Sequence, residues 1–211
     1  AGGGEQQVPA EGLVDRVVAL VEVGVNITLV GEAGIGKTSA MNGVFRQMAQ
    51  RGTKVGRAEF VPQPGRATAT LEDLLLDLQT EMDPQLPPVA AFTGAITTLA
   101  EEGPVLLCVD DIDYAGPTSL AALRAAAGVP LVVVLATSSV SGPIAWDEGQ
   151  QLTVEPLTRA EVDELVEQLR GSALRRPLLD WVDTMSGGNP TLVEHLLDEL
   201  GSDASPDSED V

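Results

Sequence analysis

Gly31-Glu32-Ala33-Gly34-Ile35-Gly36-Lys37-Thr38-Ser39 decides how this chain reads. It fits the pattern G-x-x-x-x-G-K-[ST], whose glycines let backbone amides turn inward and approach a polyphosphate. The flanks agree. Asn26–Val30 (NITLV) predicts a short buried strand, and residues 38–50 place Met41, Val44, Phe45 and Met48 at helical spacing. A helix N-terminus directly after the loop adds positive potential where phosphate would sit. Gly31, Glu32, Ala33, Gly34, Ile35, Gly36 and Ser39 are therefore expected to bind nucleotide as one loop. Lys37 would neutralise the β- and γ-phosphates, and Thr38 would ligate Mg²⁺.

The expected partner of that loop lies downstream. Val105-Leu106-Leu107-Cys108-Val109 is an aliphatic run delivering Asp110 and Asp111 at its C-terminal end, where ligands of parallel sheets bind. Asp110 would hold Mg²⁺ through its water shell, and Asp111 would polarise an attacking water. One predicted strand, Lys54–Val61, intervenes, which points to the class of phosphate-loop proteins with an inserted strand. The next strand, Leu131–Ala136, ends in Thr137-Ser138-Ser139. A polar residue there commonly senses the γ-phosphate in this class, with Thr137 and Ser138 as candidates and ordinary turn hydroxyls as the alternative.

Apolar runs that are continuous rather than alternating mean that helices cover both sheet faces. Helices are predicted at Leu13–Val23, at 71–82 with Thr70 as cap and Asp73 as its capping-box partner, and at 89–101. Past Val154 only helical periodicity remains. Thr158 with Glu161 forms a capping box before Val162, Leu165, Val166 and Leu169, and two amphipathic helices, Leu174–Met185 and Thr191–Leu200, flank Gly187-Gly188-Asn189-Pro190. The expected organisation is a flexible stretch at 1–7, an α/β nucleotide domain at 8–156, a helical appendage at 157–200 and an acidic tail at 201–211.

Composition narrows the function. The 211 residues carry 32 acids against 12 bases, a formal net charge of −20, and residues 147–211 hold 16 of those acids against four arginines. Such a surface repels phosphate backbones and anionic lipid, which argues against nucleic-acid or membrane binding through this segment. Hydrophobic residues at 44 % still allow a substantial core, an aliphatic one given six aromatics. One cysteine, Cys108, and one histidine, His195, exclude a disulfide framework, a Cys/His metal cluster and most triad chemistry. No apolar run is long enough to span a bilayer, and Ala1-Gly2-Gly3-Gly4 has no leader character, so a cytoplasmic setting is expected.

GEAGIGKT, VLLCVDDIDYAGPTSLAAL, LVVVLATSS, LTVEPLTRAEVDELVEQL and SGGNPTLVEHLLDEL together resemble the ATPase module of the large ATP-binding LuxR-type regulators. These belong to the STAND signal-transduction ATPases, relatives of AAA+ proteins. The likeness spans about residues 8–200, with Leu13-Val14-Asp15-Arg16 resembling the family's opening motif except for Asp15 in place of glycine. It implies a molecular switch: ADP holds a closed state, and exchange for ATP permits self-association or partner signalling. It also implies that Pro190, in the turn Gly188-Asn189-Pro190, packs on the adenine. Thr191 stands where AAA+ relatives offer an arginine, and Ser139 stands where the family usually has one. Loss of such an arginine costs ~10³ or more in rate, so hydrolysis is expected to be slow or absent, with Arg124 and Arg159 as the candidate replacements. The rival readings are an AAA+-like turnover ATPase that remodels a partner, a small-molecule kinase, and a non-hydrolysing nucleotide-binding scaffold.

Overall fold

The computed structural model describes residues 6–8, 12–61, 69–139 and 149–201, the first of these and residues 69–70 as backbone only. Among the described residues six parallel strands form one sheet: β1 (Gln6–Val8), β2 (Asn26–Val30), β3 (Lys54–Glu59), β4 (Val105–Asp110), β5 (Val132–Ser138) and β6 (Gly149–Val154), in the order β1-β6-β2-β5-β4-β3. This is the expected phosphate-loop α/β sheet with a C-terminal helical appendage. The strand that separates the loop strand β2 from the acid strand β4 is β5, whereas β3, which intervenes in sequence, lies outermost beside β4.

Every residue of β2, β4 and β5 is buried, because helices cover both faces. Side chains alternate cleanly between two cores. Val105, Leu107, Val109, Val132, Val134 and Ala136 face α3 (Ala69–Asp77), α4 (Pro88–Glu101) and α5 (Pro117–Ala127). Leu106, Cys108, Val133 and Leu135 face α1 (Leu13–Glu22) and α2 (Lys37–Gln50). Burial drives the Cys108 thiol up to about 12, so it is inert packing. A third, separate cluster, built on Val162, Val166, Leu179, Val182, Val193 and Leu197, joins α6 (Arg159–Arg170), α7 (Arg176–Ser186) and α8 (Pro190–Leu200).

Three features differ from the sequence reading. β6 and its edge partner β1 were not expected: Gly149-Gln150-Gln151 is polar and only half-buried, so it lacks the apolar run that marks the inner strands. Helix α3 stops at Asp77 rather than 82. Gln79 adopts the left-handed conformation (φ 55°), and the amides of Gln79 and Thr80 donate back to Leu76 O and Leu75 O, which is a Schellman ending normally given by glycine. Thr70 lies within α3, after Ala69, so it is not the residue that caps the helix, and nearly all of the acidic tail lies outside the described residues. The Thr158–Glu161 capping box forms as expected, with both reciprocal bonds present.

Asn26 ties the loop strand to its neighbour. Buried at 6 % exposure, its side chain accepts from Val134 N–H (2.8 Å) and donates to Ala127 O (3.2 Å). Asn26→Ala would leave both backbone groups unpaired in the core, a loss of about 2–3 kcal/mol. Urea unfolding checks this, and a loss below about 0.5 kcal/mol would show that the bonds are dispensable.

Candidate functional site

The register of the sheet gathers the site. Val30 lies opposite Ser138, and Val109 opposite Ala136, so the C-terminal ends of β2, β5 and β4 finish side by side. The phosphate-type loop leaves β2 there. Its Gly34 (φ 77°) and Gly36 (φ 101°) take left-handed conformations open to glycine at little cost, and α2 starts at Lys37 with no side chain capping its first amides. Lys37 is buried and donates from Nζ to Gly31 O and Glu32 O, both at 2.8 Å. Burial holds its pKa below the usual lysine value, while Asp111, Asp110 and Asp113 pull the other way.

Asp110 is 3 % exposed and organises the acid side. Its Oδ1 accepts from Thr38 Oγ1 at 3.2 Å and from the hydroxyl of Thr137, and its Oδ2 lies 4.0 Å from the Arg57 guanidinium on β3. The Thr137 hydroxyl also accepts from the Asp111 amide at 2.9 Å. That bond anchors a strained backbone: Asp111 is left-handed (φ 51°, ψ 49°), costing about 1–2 kcal/mol for a residue with a Cβ. The turn places Asp111 on the cleft beyond the C-terminal end of β4, and burial, then the neighbouring Asp110, raises its pKa.

Of these groups Gly34, Gly36, Lys37, Thr38 and Asp111 line a cleft of about 390 Å³, a size suited to a small ligand. Its floor is the loop, from Ala33, Gly34 and Gly36 through Lys37, Thr38 and Ser39. Asp111, Tyr114 and Ser139 form a second wall, and Pro190, Thr191 and Glu194 of α8 form the third. The helical appendage is therefore a lid bonded to the loop. Asn189 caps α8 by accepting from the amides of Thr191 and Leu192, and its own amide group donates to Ala33 O at 2.9 Å. Thr191 donates from Oγ1 to Gly34 O at 3.2 Å. A Cβ on Gly34 would sit 2.9 Å from Asn189 Oδ1 and from Thr191 Cβ and Oγ1, so the lid rests on bare backbone.

Of the expected site residues, Ala33, Gly34, Gly36, Lys37, Thr38, Ser39, Asp111 and Pro190 converge on the cleft, with Asp110 directly behind Thr38. Gly31 and Glu32 act through carbonyls that hold Lys37, and Ile35 packs into the core beneath. Thr137 and Ser138 are buried behind the wall. Thr137 bridges the two acids, and Ser138 donates to Asp113 at 2.6 Å, so Ser139 is the member of that triplet that reaches the cleft. The candidate replacement cations stay away: Arg159 pairs with Asp180 and Asp183 inside the lid, and Arg124 ends α5. Sequence reasoning missed Asp113, Arg57 and Glu194. Only Asn189 left a local trace, as a capping residue before a proline at the first helical position.

The residues present fit a nucleotide and a divalent cation. Gly34 and Gly36 hold left-handed backbone along the cleft floor, and Lys37 stands at the base of the loop with its ammonium on two loop carbonyls. Among the described residues no three His, Cys, Asp or Glu side chains form a metal cage. Thr38 and Asp110 thus suit an ion such as Mg²⁺, which draws most of its ligands from phosphate and water.

Known proteins agree with this geometry. The AAA ATPase domain family matches residues 11–135. No curated protein sequence matches the chain. Among solved structures, AMPPCP-bound DnaA from Aquifex aeolicus shares 15 % identity at a TM-score of 0.62, covering 90 % of this chain and 59 % of its own. Cdc6p from Pyrobaculum aerophilum shares 14 % at 0.64, covering 89 % and 60 %. A signal transduction ATPase with numerous domains and a tetratricopeptide repeat sensor, from Pyrococcus horikoshii, shares 15 % at 0.57, covering 88 % and 31 %. The chain spans about three fifths of the length of the first solved structures it matches. At these identities the likeness is one of fold. Among the described residues no helix is long and apolar enough to cross a membrane.

The lid contact itself is testable. Gly34→Ala adds a methyl against Asn189 and Thr191, with an expected loss of about 2 kcal/mol, more than the strain of a left-handed alanine alone. In a double-mutant cycle with Thr191→Gly, denaturant unfolding should recover about 1 kcal/mol of that loss. Strict additivity would mean that the loop and lid do not touch.

Proposed function

The chain belongs to the AAA ATPase domain family, and on that premise we propose that it is an ATP/ADP–Mg²⁺ switch module of the STAND kind, serving a signalling or transcription-regulatory protein. Family membership implies nucleotide binding. One observation supports the switch reading: the lid bonds to the carbonyls of Ala33 and Gly34, the loop that would cradle phosphate, 156 and 157 residues away in sequence. Any change in the loop's backbone is thereby felt at α8, so nucleotide state and lid position are coupled mechanically. The division of labour follows the proposed units, 8–156 holding nucleotide and 157–200 reporting it, with Pro190 against the base and self-association or a protein partner reading the lid.

Lys37 would exchange its two carbonyl acceptors for phosphate oxygens, and Thr38 and Asp110 would hold the cation. Mg²⁺, when bound, would supply charge neutralisation for the polyphosphate. Asp111, aimed into the cleft by its strained backbone, would orient a water as general base. Thr137 acts one step back, fixing Asp110 and Asp111 relative to each other, and Asp113 restrains Ser138 and the Ser139 amide. Among the described residues no arginine lines the cleft, so Lys37 is the one cationic side chain there to meet charge developing in hydrolysis. A module built this way binds well and turns over slowly.

Calorimetry with Mg²⁺ should give affinities for ADP and ATP that fall at least ~100-fold in Lys37→Ala, the loss of a charge-assisted contact worth about 3 kcal/mol. Unchanged affinity in that variant would remove the site. Single-turnover ATP hydrolysis should run slower than about one per second, a barrier above ~17 kcal/mol. A faster rate would contradict the switch reading.

A further inference from the structure

The lid brings a carboxylate to the cleft where it could have brought a cation. Pro190, Thr191 and Glu194 share one face of α8 at helical spacing, while Val193 and Leu197 face the lid's own core. Thr191 is fixed on Gly34, which places Glu194 one turn further along the same wall. Among the described residues Glu194 has no paired cation or hydrogen bond, so its charge is not cancelled within the lid. Among the described residues the cleft lining then carries one cation, Lys37, against two carboxylates, Asp111 and Glu194, with Asp110 close behind.

We propose that Glu194 is a specificity-determining residue that sets the preference of this cleft for the diphosphate over the triphosphate. The inference rests on the nucleotide reading of the cleft. ATP carries one more negative charge than ADP into the same space, with or without the same metal ion. A carboxylate carried on the closing wall repels both, and repels the triphosphate more. The lid therefore closes more readily over ADP than over ATP. The same charge that weakens ATP also favours the open lid when ATP is bound, which gives the exchange of one nucleotide for the other a mechanical consequence.

Binding of ADP and ATP, each with Mg²⁺, is measured by calorimetry on the whole chain for wild type, Glu194→Gln and Glu199→Gln, an exposed acid on α8 outside the cleft wall. Glu194→Gln is expected to lower the ratio Kd(ATP)/Kd(ADP) about three- to tenfold at low salt, with the effect shrinking at ~0.5 M salt where exposed charges are screened. Glu199→Gln is expected to leave the ratio within twofold. A ratio unchanged in Glu194→Gln while both nucleotides still bind overturns the inference and leaves the nucleotide reading standing. An equal shift in both variants also overturns it, since net charge alone would then be acting. Failure of wild type to bind either nucleotide at millimolar concentration overturns the nucleotide reading itself.

Discussion

Gly34 has no side chain, and the arrangement of the site depends on that. Asn189 and Thr191 lie so close over it that a Cβ would stand 2.9 Å from both. The approach lets a helical lid with its own hydrophobic cluster bond directly to the backbone of the phosphate-type loop. Without it the lid would face the loop across a layer of side chains, and small changes in loop conformation would be absorbed there. Gly188 provides the matching constraint behind the lid turn, where its left-handed backbone passes so near Leu157 that only hydrogen fits. Leu157 N–H donates to Gly188 O at 2.8 Å, anchoring the turn to the segment that leaves the sheet.

The charge of the chain sharpens this picture. A protein of net charge −20 that binds a polyanion must hold its positive potential locally. Lys37, the uncapped amides of α2 and the recruited cation provide it within one loop, and burial of Lys37 strengthens every interaction it makes there. The surrounding acids have separate jobs. Asp110 is pinned by Thr38 and Thr137, Asp113 holds the end of β5, and Asp111 alone combines strain, a raised pKa and access to the cleft. Arg57, 4.0 Å from Asp110, offsets part of the local negative charge from the neighbouring strand.

Much of the fold was legible because its signals are local. The loop motif, the aliphatic runs of β2, β4 and β5, and the capping box of α6 each follow from a few adjacent residues. β6 and the short edge strand β1 were not legible: β6 begins Gly149-Gln150-Gln151, and pairing with β1 and β2, rather than an apolar run, marks it as a strand. At the site, the residues that touch ligand space were readable from pattern, but those that position them were not. Thr137 as a bridge, Ser138 on Asp113 and Asn189 on Ala33 are contacts between segments 25 to 156 residues apart, and no spacing rule encodes them. A strand end presenting Thr137-Ser138-Ser139 says that hydroxyls gather there; the bonds of Thr137 to Asp110 and Asp111 and of Ser138 to Asp113 leave Ser139, just past the strand, to reach the cleft.

The coupling of loop and lid is tested most directly by hydrogen exchange of the amides at 33–36 and 191–194, with no nucleotide, with ADP–Mg²⁺ and with a non-hydrolysable ATP analogue. The account predicts that ADP slows exchange in both segments together, by about tenfold or more, and that the ATP analogue slows the loop while leaving the start of α8 measurably faster than with ADP. Equal protection of α8 by both nucleotides, or protection of the loop with no response in α8, would contradict it.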